Sequence, residues 1–226
     1  MRQTLIQSLL PPSVAGADTR ADAPDDTLHP LERAALPTGA SEGRCREFTT
    51  VRACAREALA ALGRPPAPLL PDARGVPHWP RGIVGSMTHC RGYRAAVVAR
   101  EGDVPALGVD AEPCEPLREG VLRTISLPGE RERLRLLSAL RHRPECWDRL
   151  LFCAKEAVFK AWFPHTRTEL AFQDVSVVLD AAGQSFRARV LVPGGREYTG
   201  RWLAREGLLA AVAFGGGPDR RVSART

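Results

Sequence analysis

Lysine is almost absent from this sequence. Of its 226 residues 32 are basic, and only Lys155 and Lys160 are lysines; the rest are arginine. Both lie in one stretch, Phe152 to Trp162, where they bracket Glu156. Wherever any positive charge would serve, the chain uses arginine. A place that keeps lysine therefore points to a compact ammonium that can shift its pKa or give up a proton, which a guanidinium cannot do. The plain alternative is a solvated helix on which Glu156 and Lys160 form an ordinary i,i+4 pair.

Other absences narrow the classes. No apolar segment approaches the length of a membrane span, so no membrane partner is expected. The N-terminus lacks the basic region, apolar run and small-residue cleavage site of a secretory signal. The six cysteines (Cys45, Cys54, Cys90, Cys114, Cys146 and Cys153) include no C-x-x-C pair. No His-plus-Cys spacing suggests zinc, and the thiols read as reduced and structural, as in a cytoplasmic protein. The net charge is +6 without a block of like sign. That suits a soluble basic protein, or one that attracts an anionic ligand or acidic partner. No motif interleaves basic and aromatic residues as nucleic-acid binding requires, so none is expected.

The length suits one large domain or two small ones. Ser13 to Ala17 could form an edge strand, and Leu28 to Leu36 a short helix. The spacing of Phe48, Val51, Ala55, Leu59 and Leu62 predicts a helix over 41–62, capped by Ser41 and ended by Gly63. Its other faces carry Arg44, Arg46, Arg52 and Arg56. A proline-rich connector with Arg74 follows, then the small, polar run Gly85 to Cys90. Tyr93 to Ala99 reads as a buried strand, and Ala106 to Glu112 as its antiparallel partner. A helix is expected at about Gly129 to Leu140, with Leu134, Leu137 and Leu140 inward. Another is expected between Pro144 and Pro164, with Trp147, Leu151, Ala154, Val158 and Trp162 inward. Strands are expected at 172–179, 185–192, 197–205 and 208–214. Each half thus places helices before strands, an α+β plan.

Two groups of residues can carry chemistry. On a strand Gly108, Asp110 and Glu112 share one face. Two adjacent carboxylates repel unless a cation lies between them or the strand end is solvated. On the helix, Glu156 shares a row with Asp148, Phe152 and Lys160, away from the apolar stripe. Three acids without imidazole or thiolate favour a hard ion such as Mg²⁺ or Mn²⁺, and Mg²⁺ so bound usually also holds substrate phosphate. Arg44, Arg52, Arg74, His89, Lys155 and Lys160 are candidate anion ligands. Taken alone, these residues also suit a Mg²⁺-dependent nuclease or phosphohydrolase, and the charge a basic non-catalytic binding module.

Four blocks in order resemble the 4′-phosphopantetheinyl transferases, in particular the longer, monomeric type that serves peptide and polyketide synthases. They are Arg44-Cys45-Arg46-Glu47-Phe48, Gly85-Ser86-Met87-Thr88-His89-Cys90, Gly108-Val109-Asp110-Ala111-Glu112-Pro113 and Phe152-Cys153-Ala154-Lys155-Glu156-Ala157. The resemblance runs from about Ser13 to Phe214. It implies two similar α+β subdomains related by pseudo-twofold symmetry, spanning 1–106 and 107–214, with a disordered tail over 215–226. It implies transfer of 4′-phosphopantetheine from coenzyme A to a serine of an acidic acyl or peptidyl carrier protein. Asp110, Glu112 and Glu156 would hold Mg²⁺. Arg44 and Arg52 would bind the 3′-phosphate of coenzyme A, and Arg74, Thr88 and His89 would sit at its phosphates. Lys160 would meet the departing 3′,5′-ADP, Lys155 would bind phosphate or brace the site, and Glu156 would help deprotonate the serine. Phe152 stands where many members have Trp, Thr88 where Ser is common, and Arg74 where Lys is frequent.

Overall fold

The computed structural model describes residues 4–139 and 146–216. A 3-10 turn at Ile6–Leu9 leads into β1 (Val14–Thr19). After a second 3-10 turn come α1 (Pro30–Ala34) and α2 (Glu42–Ala61), then the hairpin of β2 (Ile83–Cys90) and β3 (Tyr93–Arg100). The second half holds β4 (Ala106–Pro113), α3 (Val121–Ile125), α4 (Pro128–Ala139) and α5 (Trp147–Thr166). It closes with β5 (Val175–Asp180), β6 (Ser185–Val190), β7 (Glu197–Arg205) and β8 (Leu208–Gly215). Helix and sheet are thus mixed in the α+β manner.

The local causes are those the sequence suggests. The Ser41 hydroxyl caps α2 by accepting the Arg44 N–H at 3.3 Å. Phe48, Val51, Ala55 and Leu59 turn one buried stripe of α2 inward. Glu206 and Gly207 both take positive φ (53° and 74°), the geometry a two-residue hairpin turn demands.

Two antiparallel sheets form, of three strands in the order β1-β3-β2 and of five in the order β4-β8-β7-β6-β5. Alternation along the strands builds three cores. On β3, Ala96 and Val98 face α2 with Ala55 and Leu59. Its Tyr93, Ala95, Val97 and Ala99 face the other way, onto Leu107, Val109 and Ala111 of β4 and Leu208, Ala210 and Val212 of β8. Leu209, Ala211 and Ala213 of β8 turn outward to α5. The order of layers is therefore α2, small sheet, large sheet, α5. The middle core belongs to both sheets, and Ile6, Leu9 and Leu10 are built into it.

Four expectations are corrected. β4 is not the partner of β3. Both edges of β3 are already laddered, to β1 and to β2, so β4 pairs with β8 instead. Its other edge meets β2 through side chains: the Ser86 hydroxyl accepts the Val109 N–H (3.1 Å) and the Thr88 hydroxyl the Ala111 N–H (3.2 Å). Pro164 does not follow α5 but lies inside its last turn, and the helix ends at Arg167 in the left-handed region. Residues 172–174 form a 3-10 turn before β5 rather than its beginning. Gly215, expected to open a disordered tail, is the last residue of β8. The expected positions of Leu140 and Pro144, and the tail from residue 217, lie outside the described residues.

Candidate active site

The site begins with a missing side chain. A Cβ on Gly108 would overlap the Ala157 carbonyl and come within 2.6 Å of the Ala161 nitrogen. Only glycine lets β4 and α5 approach this closely. Asp110 and Glu112 share the Gly108 face, so the same approach brings them to the row of α5 that carries Glu156 and Lys160.

Lys160 Nζ donates to Asp110 Oδ1 at 2.7 Å, and the Thr88 hydroxyl donates to the same oxygen at 3.1 Å. Thr88 thus joins β2 to β4 and touches the carboxylate at once. Burial pulls the Lys160 ammonium toward neutrality, but Asp110 and Glu156 outweigh it and its pKa stands raised. Glu112 Oε2 is held by Arg149 Nη1 at 3.0 Å. Burial and the Asp110 charge push the Glu112 carboxyl up against the pull of Arg149. Glu156 is likewise pushed up, by burial and then by Asp110, with Lys160 opposing.

A cleft of about 750 Å³ opens beside this pair. Its walls include Arg44, Glu47 and Arg52 of α2, Arg74 of the connector, Ser86, Thr88 and His89 of β2, and Phe159, Lys160 and Phe163 of α5. The candidate anion ligands on these walls differ in freedom. Arg44 is half exposed and lies 3.0 Å from His89 Nε2. Burial holds the His89 imidazole below its ordinary pKa, with Glu47 opposing. Arg74 is exposed, pairs with Glu169 at 3.2 Å and lies over the Phe163 ring. Arg52, expected on a basic outer face, is 5% exposed. Its Nε donates to the Leu69 carbonyl, its guanidinium stacks on Phe48, and burial lowers its pKa to about 10.

Lys155 turns away from the cleft. Its Nζ spends three bonds on Glu130 Oε2 (2.8 Å), the Ile125 carbonyl (2.8 Å) and the Phe172 carbonyl (2.9 Å). Glu130 in turn accepts the backbone N–H groups of Leu127 and Val177. An ammonium with all its protons used inside the protein is a brace from α5 to α3, α4 and the 3-10 turn before β5. Of the two roles the resemblance allowed Lys155, phosphate ligand does not fit this geometry.

Several residues of the site carried no assignment from sequence. Glu47 lies within the first quoted block and Ser86 alternates with Thr88, so both were in view. Arg149 follows Asp148 of the helix row by one place. Glu169 had no signal at all.

Among the described residues, no group of three His, Cys, Asp or Glu side chains already converges as a metal cluster. Asp110 and Glu112 have cationic partners instead. The donor set nevertheless suits a hard cation in kind. It is all oxygen, the Asp110 charge helps push up the Glu112 and Glu156 carboxyls, and Asp110 Oδ2 is buried with no partner among the described residues.

Comparison with known proteins yields matches along most of the chain. Residues 32–99 match the 4′-phosphopantetheinyl transferase N-terminal domain. Residues 106–213 match the 4′-phosphopantetheinyl transferase superfamily. 4′-Phosphopantetheinyl transferase Svp of Streptomyces mobaraensis is 51% identical over 218 residues, covering 92% of this chain and 88% of that protein. 4′-Phosphopantetheinyl transferase PptT of Mycobacterium tuberculosis is 46% identical over 222 residues, covering 91% and 96%. 4′-Phosphopantetheinyl transferase Npt of Nocardia iowensis is 41% identical over 226 residues, covering 93% and 100%.

Proposed function

The chain belongs to the 4′-phosphopantetheinyl transferase superfamily, and we propose that it performs the superfamily's reaction with Asp110, Glu112, Glu156 and Lys160. That reaction moves 4′-phosphopantetheine from coenzyme A to a serine of an apo carrier protein, giving holo carrier and 3′,5′-ADP. The observation that carries the residue assignment is the Lys160–Asp110 pair, 2.7 Å across the β4–α5 contact, whose Lys160 stands in the wall of a cleft that holds four cationic side chains.

Arg44, Arg52, Arg74 and His89 bind and orient the phosphates, Arg44 and Arg52 at the 3′-phosphate. The carrier serine oxygen attacks the β-phosphorus, and the bond to the 3′,5′-ADP oxygen breaks. Glu156, a better base than an ordinary carboxylate because its pKa is raised, takes the serine proton. Lys160, held protonated by Asp110 and Glu156, meets the charge that builds on the departing oxygen and can give it a proton. Mg²⁺, or Mn²⁺, held by Asp110, Glu112 and Glu156 would neutralise pyrophosphate charge at the same place. Thr88 fixes Asp110, and Lys155 braces the helix that presents Glu156.

We assign the acceptor to acyl or peptidyl carrier domains of acidic surface, which suit an enzyme of net charge +6. A monomer fits a chain that brings both walls of the cleft itself. A reducing, cytoplasmic setting fits a chain whose six cysteines include no C-x-x-C pair. No helix among the described residues is long and apolar enough to cross a membrane.

The test is a mass measurement. Apo carrier incubated with enzyme, coenzyme A and Mg²⁺ should gain one phosphopantetheine. Asp110→Ala should lose this activity while keeping the wild-type circular dichroism; normal transfer by that variant removes Asp110 from the site.

A further inference from the structure

Every cationic group in the cleft wall already touches an acid, but one acid differs from the rest. Glu47 Oε2 lies 3.0 Å from His89 Nε2 and 3.8 Å from Arg44 Nη1. Arg44 Nη1 and His89 Nε2 are themselves 3.0 Å apart. One carboxylate oxygen therefore occupies the corner where two anion ligands converge, and all three side chains line the cleft. Glu32 shows what a fixed carboxylate looks like in this protein. It is fully buried and accepts the Leu69 and His29 N–H groups as well as Arg56. No backbone N–H is bonded to Glu47 among the described residues, and its side chain is 30% exposed. Among the described residues, then, the polar partners of the Glu47 carboxylate are Arg44 and His89, with no backbone bond to fix it as Glu32 is fixed.

We infer that Glu47 is a resident stand-in for the ligand's phosphate, a carboxylate that must leave Arg44 and His89 when a 3′-phosphorylated nucleotide enters and that returns when the product departs. The inference rests on the assignment of Arg44 to the 3′-phosphate and of His89 to the phosphates. A dianionic phosphate monoester offers more charge and more acceptor oxygens than a carboxylate, so it displaces Glu47. A ligand without the 3′-phosphate has nothing to place there and leaves Glu47 where it is. The displaced pair is a cost that only the 3′-phosphorylated ligand bears. Glu47 therefore lowers affinity for coenzyme A and for 3′,5′-ADP alike, and speeds the release of the latter. It is a release residue and touches no reacting atom.

The experiment is calorimetric titration of 3′,5′-ADP and of ADP, which lacks the 3′-phosphate, into wild type, Glu47→Gln and Glu47→Ala. Both variants should bind 3′,5′-ADP about fivefold more tightly than wild type, the equivalent of one partly exposed ion pair. Their affinity for ADP should stay within about twofold of wild type, the smaller end of the same range. In turnover, Glu47→Gln should show a lower KM for coenzyme A and stronger inhibition by 3′,5′-ADP, without a rise in kcat. Unchanged or weaker 3′,5′-ADP binding in both variants would overturn the inference. A wild type that fails to prefer 3′,5′-ADP over ADP, with Arg44→Gln equally indifferent, would instead remove the phosphate assignment on which the inference stands.

Discussion

The scarcity of lysine picked out two positions that both need a compact ammonium, but for different reasons. Lys160 faces Asp110 at a cleft wall. Lys155 sits among three oxygens inside the protein. A planar guanidinium fits neither well. Lys160→Arg should slow transfer by about a hundredfold, the lower end of a lost acid–base contribution, with coenzyme A affinity close to wild type; wild-type kcat would sink the proton role. Lys155→Met should cost about 3–5 kcal/mol in urea unfolding, because it strands the buried Glu130 charge. The raised pKa of Glu156 carries its own consequence. A carboxyl whose folded pKa exceeds its unfolded value contributes stability at low pH that is lost as pH rises through the folded pKa. Ionised Glu156 is therefore a cost at neutral pH. Glu156→Gln should abolish transfer yet raise Tm by a few °C at pH 7. That gain should shrink on acidification. Mg²⁺ should raise the Tm of wild type and leave that of Glu156→Gln nearly unchanged, a readout independent of activity.

Among the elements, α2, α4, α5 and the last three strands were legible because their apolar stripes are long or their turns carry Gly, whereas the five-residue α3 (Val121–Ile125) was too short to show a period. The pairing of β4 was not. A short turn after a buried strand reads as a hairpin, and nothing local reveals that β3 has both edges occupied by β1 and β2, two strands that precede it in the chain. The run Gly85 to Cys90 likewise hid a strand, since its hydroxyls serve as bonding groups toward β4 rather than as solvent-facing ones. The residue types of the site were legible in the Asp110, Glu112, Glu156 and Lys160 pattern. The partners of the site residues were not: Arg149 beside Glu112, Glu47 beside Arg44 and His89, and Glu169 beside Arg74, because each contact joins different elements or belongs to a common surface pair. The β4–α5 approach gives the sharpest element-level test. Gly108→Ala forces a methyl into the Ala157 carbonyl, where both sides are backbone and neither can yield cheaply. It should cost about 1–3 kcal/mol or more as overpacking. It should also cut kcat strongly by shifting Glu156 and Lys160 away from Asp110, while leaving 3′,5′-ADP affinity less affected, since Arg44 and His89 lie on α2 and β2.

At the scale of the molecule, the positive balance sets how partners arrive. Raising ionic strength should lower kcat/KM for an acidic carrier with little change in kcat. The core shared by the two sheets sets something else. It is built like the buried centre of a complex between two proteins, with one apolar face supplied by each sheet and the exposed turn Glu101 to Asp103 as the covalent tie. Cutting that tie need not cost the architecture. Two polypeptides, 1–101 and 104–226, should each be insoluble alone, yet copurify as a one-to-one, active pair when produced together. A gene broken at that turn would encode a heterodimer, with each partner carrying one wall of the cleft.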